Sequence, residues 1–317
     1  MFDLSVIIPT HKRCEMLRQL LGRLLAVREV TLEIIVVDDA SSDGTREMLS
    51  TFPTVNVIRN DEPQGFDALP TAIAHATSDW LLFLDDDAYP VEGSLLRIKQ
   101  HIAARGDALG VIALPFTQPG SKRLSYTPYF PAVPAGVDFV PTRAYHAGAV
   151  VVRRTAATKI PPSPQGYFMY ETEIPAIIEY LEQGWEADYL PGAPIYHLWD
   201  SRGGKKVSAN AAYLPFRNDL VTIKRYFRGW QRLEMLLGRY FTGFIHLAAA
   251  GEPFAVVRAH QEAESMLAER PERQVKPEVL ERVYPCFEGL TLLTFFSETN
   301  RRRLAWFLGL LPIDQTC

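Results

Sequence analysis

Three consecutive carboxylates, Asp85, Asp86 and Asp87, follow directly on the apolar run Trp80 to Leu84. Adjacent carboxylates repel and raise one another's pKa, a cost that a bound cation offsets. Hard oxygen ligands suit Mg²⁺ or Mn²⁺, and Mg²⁺ is commonly held by one or two carboxylates together with substrate phosphates. Alternate side chains of an extended chain share a face, so Asp85 and Asp87 can serve one site. The other reading is a solvated acidic turn capping the next helix. Leu81, Leu82, Phe83 and Leu84 bury the chain directly behind the triplet and favour the cation site.

Further polar groups stand at the ends of other apolar runs. Pro9, Thr10 and His11 follow Leu4 to Ile8, and Asp38 and Asp39 follow Leu32 to Val37. Asp39 is also suited to capping a turn with Ser41 and Ser42. Glu171 and Glu173 flank Thr172 where a helix begins, and there a carboxylate can simply favour the helix dipole by about 0.3–1 kcal/mol. His197 ends the extended piece from Ile195. The loop Ser201-Arg202-Gly203-Gly204-Lys205-Lys206 has two glycine hinges and three cations, which suit either closure over a diphosphate or ordinary solvation.

These groups need a frame. Leu4 to Ile8 and Leu32 to Val37 read as buried strands around a helix from Cys14 to Val27 whose Leu17, Leu20, Leu21 and Leu24 share one face. Ser42-Asp43-Gly44 is a turn and helix entry, Val55 to Ile58 a strand, Asp67 to Ala76 a helix and Trp80 to Leu84 a strand. This alternation predicts an α/β fold with a mostly parallel sheet flanked by helices, and ligands bind such sheets beyond the carboxyl ends of their strands. Residues 115–141 read as a long functional loop. Strands are expected over Ala147 to Val152, Ala187 to Leu190 and Ile195 to Trp199, with a helix from Glu173 to Gln183.

The order Ser5-Val6-Ile7-Ile8-Pro9-Thr10, Glu33-Ile34-Ile35-Val36-Val37-Asp38-Asp39-Ala40-Ser41-Ser42-Asp43-Gly44-Thr45 and Trp80-Leu81-Leu82-Phe83-Leu84-Asp85-Asp86-Asp87 resembles family 2 glycosyltransferases of the Rossmann-like GT-A fold. The resemblance covers about residues 3–225. It implies an inverting transfer of a sugar from a nucleoside diphosphate sugar to an acceptor hydroxyl. By the match, Pro9, Thr10 and His11 line the nucleotide pocket and Asp39 bonds the base. Asp85 and Asp86 lie at the nucleotide sugar, and Asp85, Asp87 and His197 hold Mn²⁺ or Mg²⁺. Arg202, in the 201–206 loop, is the candidate among its cations for contact with the diphosphate. Gly166-Tyr167-Phe168-Met169-Tyr170-Glu171-Thr172-Glu173 resembles the family's acidic helix start, which makes Glu171 the catalytic base and Glu173 the second choice. Thr172 between two glutamates departs from the commoner glutamate-aspartate pair, and Pro70-Thr71 stands where the family often has asparagine. Arg217-Asn218 resembles a pair frequent in bacterial members.

Two other classes remain open. A sugar-nucleotide nucleotidyltransferase is expected to carry a glycine- and arginine-rich phosphate loop where this chain has Pro9-Thr10-His11-Lys12-Arg13. A catalytically inactive binding protein is disfavoured by the retained carboxylates. Dinucleotide, Walker-type phosphate-loop, nucleophile-elbow and HExxH motifs are missing.

The chain of 317 residues carries 33 basic and 37 acidic side chains, so no general field attracts nucleic acid. Residues 226–317 hold 11 of each sign, which leaves the whole charge of −4 in residues 1–225. Residues 1–225 are expected to form the catalytic domain and 226–317 a helical extension. Three widely spaced cysteines and the absence of a signal-like start point to the cytoplasm, with no transmembrane helix. Arg301-Arg302-Arg303 ahead of Leu304, Trp306, Phe307 and Leu308 suits an interfacial helix at the inner face of the membrane. It equally suits packing on the catalytic sheet or on a second subunit as a homodimer. The acceptor can be a glycan, a lipid-linked compound or a small molecule.

Overall fold

β-Branched and leucine-rich runs dominate the first half of the chain, and they form strands because their side chains pack on both faces of a buried sheet. The computed structural model describes residues 2–121, 124–125, 133–134, 136–198, 209–270 and 272–286. Two compact units result: Met1–Phe168 with Pro175–Ser201, and Met169–Ile174 with Arg202–Cys317. The expected boundary at residue 225 lies near the end of a helix of the second unit.

The first unit begins with β1 (Leu4–Thr10), α1 (Cys14–Ala26), β2 (Leu32–Asp39), α2 (Thr45–Leu49), β3 (Asn56–Asn60), a 3-10 turn (Gly65–Ala68), α3 (Leu69–His75) and β4 (Trp80–Leu84). It continues with β5 (Ala88–Pro90), α4 (Ser94–Ala104), β6 (Leu109–Ala113), β7 (Phe116–Thr117), β8 (Leu124–Ser125), β9 (Val140–Pro141), β10 (Ala149–Arg153) and α5 (Arg154–Lys159). Then come α6 (Glu173–Glu182), whose first two residues fall in the second unit, β11 (Glu186–Tyr189) and β12 (Ile195–His197).

Eight strands form the main sheet in the order β3-β2-β1-β4-β10-β6-β11-β9. The β3-β2-β1-β4 block is parallel, as the alternating pattern predicts. β10 runs antiparallel to both β4 and β6, and β11 restores the parallel direction beside β6. Val6, Ile8, Val36, Leu82 and Leu84 on one face share a core with Leu17, Leu20, Leu21 and Leu24 of α1. Burying each of those leucines is worth roughly 1.5–3 kcal/mol. Ile7, Ile35 and Phe83 point to the opposite face and are equally buried.

A second sheet, β5-β12-β7-β8, matters more for chemistry than its size suggests. β12 pairs antiparallel with β5, placing His197 opposite Ala88, one residue after the acidic triplet. The extended piece expected from Ile195 is β12, whereas β5, β7 and β8, at two or three residues each, carry no readable alternation, and the pairing into one sheet does not emerge from the sequence pattern.

The second unit contains α7 (Ala209–Tyr226), α8 (Gly229–Ala249), α9 (Ala255–Glu269) and α10 (Pro277–Val283). α7 buries Phe216, Leu220, Val221 and Ile223 and packs on α8 and α9. Arg217 Nη1 reaches Glu262 at 3.3 Å, and Lys224 pairs with Glu264. On the outer side of α8, Trp230, Leu233, Leu237, Phe241 and Phe244 are exposed. No helix of the described residues is long and apolar enough to cross a membrane. The basic aromatic stretch 301–311 and the 201–206 loop with Arg202 lie outside the described residues.

Candidate active site

β4 ends at Leu84, and the chain turns at once, with Ala88 N–H donating to the Asp85 carbonyl at 3.1 Å. Because of that turn the three carboxylates do not share one environment. Asp85 and Asp87 converge on His197, whose Nε2 lies 3.6 Å from Asp85 Oδ2 and 3.3 Å from Asp87 Oδ1. One ligand atom from each of the three fits within a 4.8 Å span. Two carboxylates and an imidazole form a donor set that fits Mn²⁺ and tolerates Mg²⁺. Phe116 backs the imidazole edge-on with ring centroids 4.6 Å apart.

Asp86 turns the other way. Its buried carboxylate accepts from Thr10 Oγ1 at 2.7 Å and from Arg13 Nη1 at 3.1 Å. Burial raises its pKa to about 6 against the opposing pull of Thr10 and Arg13. Arg13 also reaches Asp87 at 2.5 Å, so one guanidinium ties the loop after β1 to two members of the triplet. Thr10, expected at the nucleotide, is itself buried and spends its hydroxyl on Asp86. Residue type alone does not distinguish Asp86 from its neighbours, and Arg13 carried no signal beyond its place in the 9–13 segment.

Asp39 organises a second loop. Oδ1 accepts from Asn60 Nδ2 and Gln64 N–H, and Oδ2 from Gly65 N–H, all at 2.8 Å. Gly65 is required there because its φ is +57° and a Cβ would stand 2.5 Å from the Phe168 carbonyl oxygen. His11 Nδ1 donates to the Asp39 carbonyl at 2.5 Å. Pro9, Thr10, His11 and Asp39 therefore lie together where β1 and β2 end, as expected, with β1 in register from Pro9 opposite Val37 to Thr10 opposite Asp38.

The floor under Asp85 is Gly148, a residue to which the sequence assigns no role. A Cβ built on Gly148 would lie 2.0 Å from Asp85 Oδ2 and 2.1 Å from its Cγ. Asp85 N–H also donates to the Gly148 carbonyl at 3.3 Å. Gly148→Ala must displace the Asp85 carboxylate. Misorienting a ligand in this way typically costs about 10–100-fold in metal affinity. Mn²⁺ titration followed by electron paramagnetic resonance checks this, and native affinity in the variant would refute it.

Glu171 lies in the second unit, in an unusual stretch of backbone. Phe168, Tyr170 and Glu171 have φ of +65°, +63° and +49°. Left-handed geometry at non-glycine residues costs on the order of 1–3 kcal/mol each and persists only where the surroundings enforce it. Beside Glu171 sits the buried ion pair of Arg239 Nε and Asp219 Oδ2 at 2.7 Å. Burial first, then repulsion from Asp219 and Glu173, raise the Glu171 pKa to about 8, with Arg239 opposing them. Burial likewise raises that of Asp219, which Arg239 opposes. Glu173 turns its Oε2 back to accept from Thr172 N–H at 2.9 Å, as a residue shaping a helix start does. Asn218, Asp219 and Arg239 went unrecognised as neighbours of Glu171, since only the packing of α7 and α8 places them there.

The mostly parallel sheet flanked by helices, with polar residues at its strand ends, has the GT-A fold. PcManGT, a mannosyltransferase from Pyrobaculum calidifontis solved with GDP-Man and Mn²⁺, aligns over 98% of this chain and 86% of its own at a TM-score of 0.53 and 17% identity. GalNAc-T7, solved with UDP, GalNAc and Mn²⁺, aligns over 92% and 58% at a TM-score of 0.63 and 13% identity. Residues 5–160 match the sequence profile of glycosyl transferase family 2, and that stretch of the chain belongs to the family. Glycosyltransferase AglE of Haloferax volcanii is 32% identical over 122 residues, 36% of this chain. The chain spans only 29% and 40% of the lengths of the two curated relatives it matches.

Proposed function

We propose that the protein is an inverting, metal-assisted glycosyltransferase that moves a sugar from a nucleoside diphosphate sugar to an acceptor hydroxyl of a glycan, a lipid-linked compound or a small molecule. The convergence of Asp85, Asp87 and His197 at the carboxyl end of the sheet carries this reading. Asp85, Asp87 and His197 would hold a divalent cation, which would supply charge neutralisation for the departing diphosphate. Pro9, His11 and the loop shaped by Asp39 bind the nucleoside. Asp86, through Thr10 and Arg13, fixes the segment that lines that pocket. Glu171 takes the proton of the acceptor hydroxyl as its oxygen bonds to the anomeric carbon and the bond to diphosphate breaks, which inverts the centre in one step. Glu173 shapes the helix start. GDP-Man with PcManGT, and UDP and GalNAc with GalNAc-T7, support the donor class.

The test is a panel of nucleotide sugars incubated with the protein and Mn²⁺ or Mg²⁺, with nucleoside diphosphate release as the readout. Release that stops on adding EDTA and resumes with excess Mn²⁺ is expected. Pyrophosphate formation from a sugar phosphate and a nucleoside triphosphate would instead establish a nucleotidyltransferase. Binding of donors without turnover, with every acceptor class supplied, would establish an inactive binding protein.

A further inference from the structure

Three left-handed residues in four do not hold themselves. Asn218, fully buried in α7, donates from Nδ2 to the Met169 carbonyl at 2.9 Å and to the Tyr170 carbonyl at 2.7 Å. Its Oδ1 accepts from Arg217 Nε at 3.0 Å and Nη2 at 2.9 Å. Both amide hydrogens and the oxygen are thus committed, and the orientation of the amide follows from its partners, since carbonyls need donors and a guanidinium needs an acceptor. The two carbonyls it holds belong to the residues immediately before Glu171, where the backbone turns left-handed. The next residue of α7, Asp219, forms the ion pair with Arg239 beside the same glutamate.

We propose that Asn218 is a positioning residue for Glu171: its amide clamps the Met169 and Tyr170 carbonyls, holds the left-handed turn, and so aims the carboxyl at the acceptor hydroxyl. Arg217 serves this clamp by orienting the amide. The inference rests on the reading of Glu171 as the base. A side chain with one donor cannot span both carbonyls, and an aliphatic one leaves two buried acceptors unmatched, so the turn relaxes toward ordinary φ when Asn218 is replaced. Misplacing a reacting group by about 1 Å costs on the order of 10²-fold in rate.

The experiment compares Asn218→Ala and Asn218→Asp with the native protein and with Glu171→Gln, in the full chain with donor, acceptor and Mn²⁺. The aspartate variant keeps size and an oxygen for Arg217 but loses both donors, so it separates clamping from filling, and it stands alone if the alanine variant does not fold. Expected are a fall in kcat of about 100-fold, an unchanged donor KM, and displacement of the pH limb that Glu171 sets. A merely structural role would lower the melting temperature and leave kcat and that limb where they are. Native kcat in a folded Asn218→Asp protein, with Glu171→Gln inactive, overturns the clamp alone. Full turnover in Glu171→Gln overturns the base reading and the clamp with it.

Discussion

Replacing Glu171 with glutamine is expected to lower sugar transfer by about 10²–10⁴-fold while donor affinity stays at its native value. Glutamine keeps the size of the side chain and cannot take a proton, so the loss reports base catalysis rather than packing. The pH dependence makes the assignment sharper. With a pKa of about 8 the carboxyl is largely protonated at neutral pH, and only its ionised form accepts the acceptor's proton. The rate is therefore expected to climb about tenfold per pH unit below that value and to level off above it. Asp219 raises this pKa and Arg239 lowers it, so Asp219→Asn moves the limb to lower pH. Isotope-labelled donor turnover between pH 5 and 10 reads both effects; a flat profile would exclude Glu171.

Stability should move the opposite way from activity. A carboxyl whose folded pKa lies above its unfolded value near 4.5 keeps its proton in the native state after the unfolded chain has lost it. Unfolding then becomes easier as pH rises from about 4.5 toward 8, because the native state binds the extra proton. Glutamine does not titrate, so Glu171→Gln is expected to melt higher than the native protein at pH 8, with the gain shrinking toward pH 4. A variant that is both inactive and more stable cannot be dismissed as misfolded.

The other large effect belongs to Asp87. Asp87→Asn keeps the shape but withdraws a charged ligand from the set completed by Asp85 and His197, and it frees Arg13 from one of its two partners. Metal stabilisation of a leaving diphosphate is worth several kcal/mol, so a turnover loss of about 10³-fold is expected, matched by EDTA treatment of the native protein. Mn²⁺ affinity measured directly should fall in parallel. Asp86→Asn provides the contrast. It touches Thr10 and Arg13 rather than the ligand set, so it should weaken nucleotide binding and spare Mn²⁺ affinity. Equal loss of Mn²⁺ from both variants would show that the turn does not divide the triplet as described.

Much of the frame was legible from the residue pattern. β1, β2 and β4 announce themselves through unbroken apolar runs, and α1 through leucines spaced to one face. The acidic triplet could be read as a ligand source because its residue types admit few other uses behind a buried strand. Its division into a pair that meets His197 and a third member that meets Thr10 could not, because the turn after Leu84 decides it and three identical residues offer no cue to which faces which way. His197 reaches the pair through pairing of three-residue strands far apart in sequence, below the length at which alternation can be seen. Gly148 looks like any strand-entry glycine until Asp85 is laid against it. The setting of Glu171 depends on two helices packing side by side, which neither helix declares by itself.

β10 has a consequence for how the molecule is made. It is hydrogen-bonded to β4 along one edge and to β6 along the other, in opposite direction to both. The two parallel blocks of the sheet therefore have no direct seam, and their joining waits for a strand synthesised later than the two strands it bridges. Such delayed, non-local pairing raises contact order and slows folding. The residue just ahead of that strand is Gly148, the seat of Asp85. Docking of β10, which joins the two blocks, therefore also brings Gly148 under Asp85, so that closure of the sheet and seating of that carboxylate are one event.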